Sequence, residues 1–213
     1  MARLCLTEAE KEQKKRHIMD SSVELMATQG YEHTTMQQIS KKSGVAIGTL
    51  YLYFNNKLEI YTALFEEALD LLESTLNVAS SIPATDTKAR ICLLLQSYIH
   101  FYQHHNHQYR ILFSGFFGKN AKANENVYLK NRIIKILKQL EKPIIKGVEE
   151  GIIKPCDTFE LVISLWAMFD GVLMLPQKTN ITSLGDQFQN YYTYGIEIIL
   201  NGILIKDESK QKE

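Results

Sequence analysis

Between Thr34 and Lys57 the chain reads TTMQQISKKSGVAIGTLYLYFNNK, a stretch that offers hydroxyls, amides, ammonium groups and small apolar side chains but no acid. Thr35, Thr49 and Tyr51 carry hydroxyls and Lys57 an ammonium, groups suited to phosphate oxygens. Gln37 or Gln38 can present an amide to a base edge, whereas Ile47 can offer only apolar contact, for example to a thymine methyl. Ala46, Gly48 and Tyr53 complete the candidate contacts to nucleic acid. Catalysis has no comparable set. There is no glycine-rich phosphate loop, no nucleophile elbow, and no carboxylate pair with a division of labour between acid and base, so an enzyme is not expected.

Two short helices around a tight turn would hold these groups in place. Thr34 or Thr35 can cap a helix whose apolar positions Met36 and Ile39 lie three apart, and Ser43-Gly44 stops it with the residue best able to take a positive φ. A second helix over Ala46 to Phe54 turns Leu50 and Phe54 inward at i, i+4 and leaves Ile47, Gly48, Thr49, Tyr51 and Tyr53 on or near its outer faces. That is the arrangement that lays a helix in the major groove. Upstream, Thr7 with Glu10 forms a capping-box pattern, and Ile18, Leu25 and Met26 supply the buried stripe of a helix ending near Gly30.

The run G-V-x-x-G-T-L-Y-x-Y-F-x-x-K within GVAIGTLYLYFNNK, preceded by TTMQQIS and by a helix ending in Gly30-Tyr31, resembles the amino-terminal domain of TetR-type transcriptional repressors. The match covers roughly the first quarter of the chain. The resemblance places Thr35, Thr49, Tyr51 and Lys57 at phosphate-contacting positions and Ile47, Gly48 and Tyr53 at positions that face base edges. Ile47 stands where other members carry a polar base reader, so no operator sequence carries over. Tyr51 has a competing role in packing between helices, and Gly48 as a small residue that permits close approach. The resemblance implies an all-α protein: a three-helix, helix-turn-helix DNA-binding domain over residues 1–57, and a larger helical domain over 58–213 for effector binding and dimerisation. It further implies a homodimeric repressor on a pseudopalindromic double-stranded operator, released by a small effector.

Composition suits such a regulator. With 213 residues, 45% hydrophobic and 23% charged, the chain can bury one sizeable core or two smaller ones. Basic and acidic residues balance at 24 each, which argues against indiscriminate coating of DNA. Over residues 1–57 the basic side chains exceed the acidic by two, and Lys11, Lys14, Lys15 and Arg16 form a basic run that serves either phosphate or a solvated helix face. Met1 leads into polar, charged sequence, and the apolar stretch Leu161 to Leu175 is broken by Ser164, Asp170 and Gly171, so no signal peptide and no membrane span is expected and the chain is placed in the cytoplasm. Cys5, Cys92 and Cys156 are too scattered for a disulfide framework or a zinc site.

Beyond Asn56 the periodicity predicts helices to the end of the chain and little support for strands. A long helix carries Leu58, Tyr61, Leu64, Phe65, Ala68, Leu69, Leu72 and Leu76 on one face; after a break at 80–87 containing Pro83, helices are predicted near 88–106, 109–118, 125–150, 158–176 and 184–205. Asp157 with Glu160, and Ser183 with Asp186, supply starts for the last two. Phe101, Tyr102, Tyr109, Phe113, Phe116, Phe117, Trp166, Met168, Phe169 and Met174 are either core or the lining of a cavity for an apolar or aromatic effector. Asp170 within SLWAMFDGVLML orients a ligand group or hydrogen-bonds at a helix interface. The last two helices are apolar on more than one face, and Leu161, Leu165, Tyr192, Ile196, Ile199 and Ile203 are the candidate dimer contacts. No cofactor is implied. Two alternatives stay open: a dimeric helical adaptor that binds no DNA, and a metal-responsive regulator using His100 and His104, although no metal site is expected there.

Overall fold

A computed structural model of the chain describes residues 7–117, 127–178 and 188–205. Nine α-helices account for nearly all of them, as the periodicity predicts. The backbone clusters into two compact units, one formed by Met1–Glu73 with Gln103–Asn131 and the other by Ser74–Tyr102 with Arg132–Glu213.

In the first unit, α1 (Glu8–His33) opens with the expected reciprocal cap: the Glu10 amide donates to Thr7 Oγ1 at 3.3 Å and the Thr7 amide donates to Glu10 Oε2 at 2.7 Å. Those bonds hold the Glu10 carboxyl below its ordinary range. Helical geometry fails at Gly30, where φ is 84°, and a last turn reaches His33. Thr35 then caps α2 (Met36–Ser43), which Gly44 ends in the left-handed region at φ 66°, and α3 follows over Ile47–Tyr53. Ile18, Met19, Met26, Ala27, Ile39, Val45, Leu50 and Phe54 are the buried apolar side chains of this three-helix group, while Leu25 is half-buried. The basic run is partly committed, since Arg16 grips Glu67 through two 2.7 Å bonds and a third contact reaches Asp20.

Two more helices complete this unit. α4 (Lys57–Ser81) buries Ile60, Tyr61, Leu64, Phe65, Ala68 and Leu69 on its first half, and α6 (Asn106–Phe117), which follows α5 (Thr87–His104), packs on α1. Tyr61 donates its hydroxyl to the Ile111 carbonyl at 3.1 Å beside Ser114 Oγ at 3.0 Å. Burial pushes that hydroxyl's pKa up to about 12, so it stays a donor. Gly115 faces the ring of the fully buried Phe65.

The second unit takes the end of α4 and most of α5, and adds α7 (Val127–Glu149), α8 (Thr158–Lys178) and α9 (Phe188–Ile203). Asp157 caps α8 as expected, its Oδ1 accepting from the Glu160 amide at 2.9 Å. The proposed cap of the last helix at Ser183 and Asp186 lies outside the described residues. One feature was not anticipated: Ile153 and Leu204 form an isolated antiparallel β-bridge, with Lys154 N–H donating to the Ile203 carbonyl at 2.9 Å and Ile205 N–H to the Ile152 carbonyl at 2.8 Å. A single pair has no alternation to announce it.

Packing around Gly115 is tight enough to test. A methyl there runs into the Phe65 ring, which has no solvent to move into. Gly115→Ala should lower unfolding stability by about 1–3 kcal/mol, read as a drop in the urea midpoint.

Candidate functional site

Helix α3 has only seven residues, too few to hold itself, so its direction is set by what it buries. Leu50 is fully buried and Phe54 almost so. The turn before it is closed by side chains: Ser40 donates to the Val45 carbonyl at 2.6 Å, Ser43 Oγ donates to the Ile39 carbonyl at 2.8 Å, and the Val45 amide donates to Ser43 Oγ at 3.3 Å. His17 Nε2 meets the Ser43 carbonyl at 2.8 Å and ties α1 to the same turn. Ser40 is a structural residue of this turn that the sequence pattern does not single out, and Ser43, read there as part of the helix stop, also bonds the turn through its hydroxyl.

With Leu50 and Phe54 inward, α3 presents Ala46, Ile47, Gly48, Tyr51 and Leu52 outward and Thr49 and Tyr53 half-buried. Ile47 is 39% exposed and Tyr51 49%, so packing between helices does not consume Tyr51. Leu52, absent from the sequence-derived set, is 83% exposed. A Cβ added at Gly48 would meet nothing within 4 Å in its own chain, so no internal contact requires glycine there.

The other candidates are less open. Gln38 Oε1 accepts from the Thr35 amide at 2.8 Å, from Thr35 Oγ1 at 3.2 Å and from Gln29 Nε2 at 3.1 Å, and Thr35 Oγ1 accepts from the Gln38 amide at 3.2 Å. Both side chains thus serve the cap of α2, whereas Gln37 is exposed. Lys57 Nζ donates to the Tyr31 carbonyl at 2.6 Å and sits 4.0 Å from the Tyr31 ring centroid, so in this structure it caps the end of α1. Lys41 and Lys42 close α2 with positive charge, and Lys42 pairs with Glu24 at 2.7 Å.

The second unit contains a small apolar cavity of about 70 Å³ that opens to solvent. Leu76 of α4, Ile91, Leu94, Leu95 and Tyr98 of α5, Leu140, Pro143 and Ile144 of α7, and Val162, Leu165, Trp166 and Phe169 of α8 line it. Of the aromatic set read from the sequence, only Trp166 and Phe169 are there. Phe101, Tyr102 and Met174 are buried elsewhere in the packing, Met168 is exposed, and Tyr109 and Phe113 stack on each other in the first unit with ring centroids 6.2 Å apart. The side chains of Phe116 and Phe117 lie outside the described residues. The cavity is mostly aliphatic, and aliphatic residues at helical spacing carry no mark distinguishing a cavity wall from solid core.

Asp170, buried beside this wall, accepts from the Tyr98 hydroxyl at 2.6 Å across α5 and α8, and Trp166 Nε1 donates to that hydroxyl at 3.3 Å. Several candidate dimer residues also face inward. Leu165 lines the cavity, Tyr192 is buried and donates to the Leu95 carbonyl at 2.9 Å, and Ile196 is buried; Leu161, Ile199 and Ile203 are half-buried. The outer apolar face of α8 and α9 is instead formed by Ile163, Met168, Tyr191, Tyr194 and Ile198. Among the described residues no three His, Cys, Asp or Glu side chains cluster as metal ligands, and His100 and His104 are exposed. No helix of those residues is long and apolar enough to cross a membrane.

A capped helix, a glycine-closed turn and a short second helix with an acid-free outer face define a helix-turn-helix DNA-binding protein. Residues 18–64 match the family model for bacterial regulatory proteins of the tetR family. The fatty acid metabolism regulator protein of Bacillus subtilis (strain 168) is 25% identical over 209 residues, covering 91% of this chain and 97% of that protein. AibR, solved in complex with isovaleryl coenzyme A and operator DNA, superposes with a TM-score of 0.70 at 19% identity over 87% of this chain and 97% of AibR. The TetR family regulator PfmR from Thermus thermophilus does so with a TM-score of 0.68 at 17% identity over 86% and 97%. Residues 18–64 thus form a tetR-family DNA-binding domain, and the chain shares the fold of the solved TetR-family regulators.

Because Gly48 has no internal reason to lack a side chain, its substitution separates folding from binding. Gly48→Ala should leave the urea midpoint unchanged or raise it, since alanine favours helix by up to about 1 kcal/mol. The same variant should weaken operator binding about ten-fold, or ~1.4 kcal/mol, in a titration at fixed salt.

Proposed function

We propose that the protein is a homodimeric repressor whose residues 1–57 read a pseudopalindromic operator and whose residues 58–213 carry dimerisation and the effector site. The observation that carries the DNA-reading part is the outer face of α3, exposed from Ala46 to Leu52 apart from the inward Leu50 and half-buried Thr49. Thr49 and Tyr51 flank it with hydroxyls for phosphate, and Gln37 stands exposed on the preceding helix. Two such helices related by a two-fold axis would meet successive major grooves, about 34 Å apart. The dimer reading is supported by the outer face of α8 and α9, where Tyr194 is 64% and Ile198 54% exposed, an unusual position for large apolar side chains.

The effector we propose is an acyl chain presented as a coenzyme A thioester. The wall offers aliphatic and aromatic surface and, among its twelve residues, no charged side chain. Such a wall suits a hydrocarbon chain, with the polar remainder of the ligand at the mouth. The relatives point the same way, one named for fatty acid metabolism and one solved with isovaleryl coenzyme A. Occupancy would release the operator to the extent that the ligand prefers the non-binding state. Cytoplasmic residence follows from this role.

Selection of bound sequences from a random double-stranded library tests the DNA reading, with a Thr49→Ala, Tyr51→Ala variant as control. A pseudopalindrome enriched by the native chain and lost in the variant is expected; enrichment of nothing above non-specific binding defeats the proposal and favours the adaptor. Trp166 is the sole tryptophan of the chain and lines the cavity, so its emission reports occupancy directly. Titration with long-chain acyl-coenzyme A should change that emission saturably and release the operator over the same concentration range. An emission change with the operator still bound would sink the coupling.

For the dimer, Ile198→Glu should shift the sedimentation profile to monomer and weaken operator binding by at least about ten-fold, because half-sites would then be bound singly. A variant that stays dimeric would move the interface elsewhere.

A further inference from the structure

Leu52 is the most exposed large apolar side chain among the described residues, at 83%, and it sits at the centre of the face assigned to DNA. Its burial contributes almost nothing to the fold. On the helix it follows Gly48 by four positions, and a helical side chain leans toward the amino terminus, so Leu52 lies over the one residue of α3 that has no side chain. Ile47 and Tyr51 form the neighbouring i, i+4 row. The result is a small apolar surface with bare backbone beside it, on a helix without an acidic residue and behind the basic end of α2.

That combination selects among partners. A seven-residue helix is too short to bury itself in a lipid surface, and an apolar protein partner would leave Lys41 and the flanking hydroxyls of Thr49 and Tyr51 without a purpose. A polyanion whose groove presents isolated methyl groups uses all of them. In the major groove only thymine presents a methyl, at C5, and an aliphatic side chain there tells thymine from cytosine without a hydrogen bond.

We infer that this regulator reads its operator chiefly through thymine methyls, with Leu52 and Ile47 as the side chains that meet them; the inference rests on the DNA-reading function proposed above. Hydroxyl and ammonium groups around this pair fix the register, and the two aliphatic side chains fix the sequence. Leu52 is the specificity residue that the motif itself does not single out.

The test replaces thymines of the selected operator one at a time with deoxyuridine, which removes the methyl and keeps the pairing edge. Two positions in each half-site should each weaken binding about four-fold, the loss for one buried methyl group. In Leu52→Ala the penalty at one of those positions should vanish, and in Ile47→Ala the penalty at the other. Leu52→Ala should leave the urea midpoint nearly unchanged, since that side chain lies largely outside the packing, whereas Ile47→Ala, at a residue only 39% exposed, should lower it modestly, so the binding of both is compared where circular dichroism shows them fully folded. Indifference of the native protein to deoxyuridine at every thymine overturns methyl reading and leaves the DNA-reading function standing. Penalties that persist unchanged in both variants overturn the assignment to Leu52 and Ile47. Failure to select any sequence overturns the DNA reading and the methyl contact with it.

Discussion

Burial of Leu50 and Phe54 is the interaction on which the DNA-reading end of this chain depends. Seven residues form too short a helix to persist in water, and α3 has no side-chain hydrogen bond at its own N-cap. Its existence and its direction are therefore imposed by the floor it lies on, made of α1 and α2. Ile18 and Ile39 are completely buried in that floor, and the hydroxyls of Ser40 and Ser43 satisfy the carbonyls and the amide of the turn that leads into the helix. Capping repeats the logic one helix earlier, where Thr35 and Gln38 satisfy each other's backbone and fix the start of α2.

This dependence explains why two residues with the chemistry of phosphate contacts are engaged internally. Thr35 and Lys57 carry the right groups, and the structure uses one as a helix cap and the other to hold the last carbonyls of α1 under an aromatic ring. A side chain that positions the reader and a side chain that reads can be the same type at the same spacing. Exposure separates them, and exposure is a property of the packed chain.

Much of the fold was legible in the order of residues alone. Caps and glycine stops announce helix ends because the chemistry is local: Thr7 with Glu10, Ser43-Gly44 and Asp157 with Glu160 all act where their spacing placed them. Long-range choices were not legible. Tyr192 and Ile196 are apolar on an amphipathic helix, and nothing in their spacing says that they face their own unit while Tyr194 and Ile198 face out. The cavity wall is legible only in Trp166 and Phe169, since the rest of it is leucine, isoleucine, valine and proline more than aromatic. Asp170 was the better clue, because a buried carboxylate must find a donor and that donor, Tyr98, stands on the cavity wall.

The small β-bridge between Ile153 and Leu204 fastens the carboxy-terminal end of α9 to the loop after α7. Helices ordinarily fray from either terminus, each lost turn costing only its own hydrogen bonds. At the carboxy-terminal end of α9, opening must also break the bonds from Lys154 to the Ile203 carbonyl and from Ile205 to the Ile152 carbonyl. Amide exchange there requires the loop after α7 to unfasten together with the helix end. The exposed side chains of Tyr194 and Ile198 are thus carried by a helix moored at one end, which limits the entropy a partner must remove to engage them.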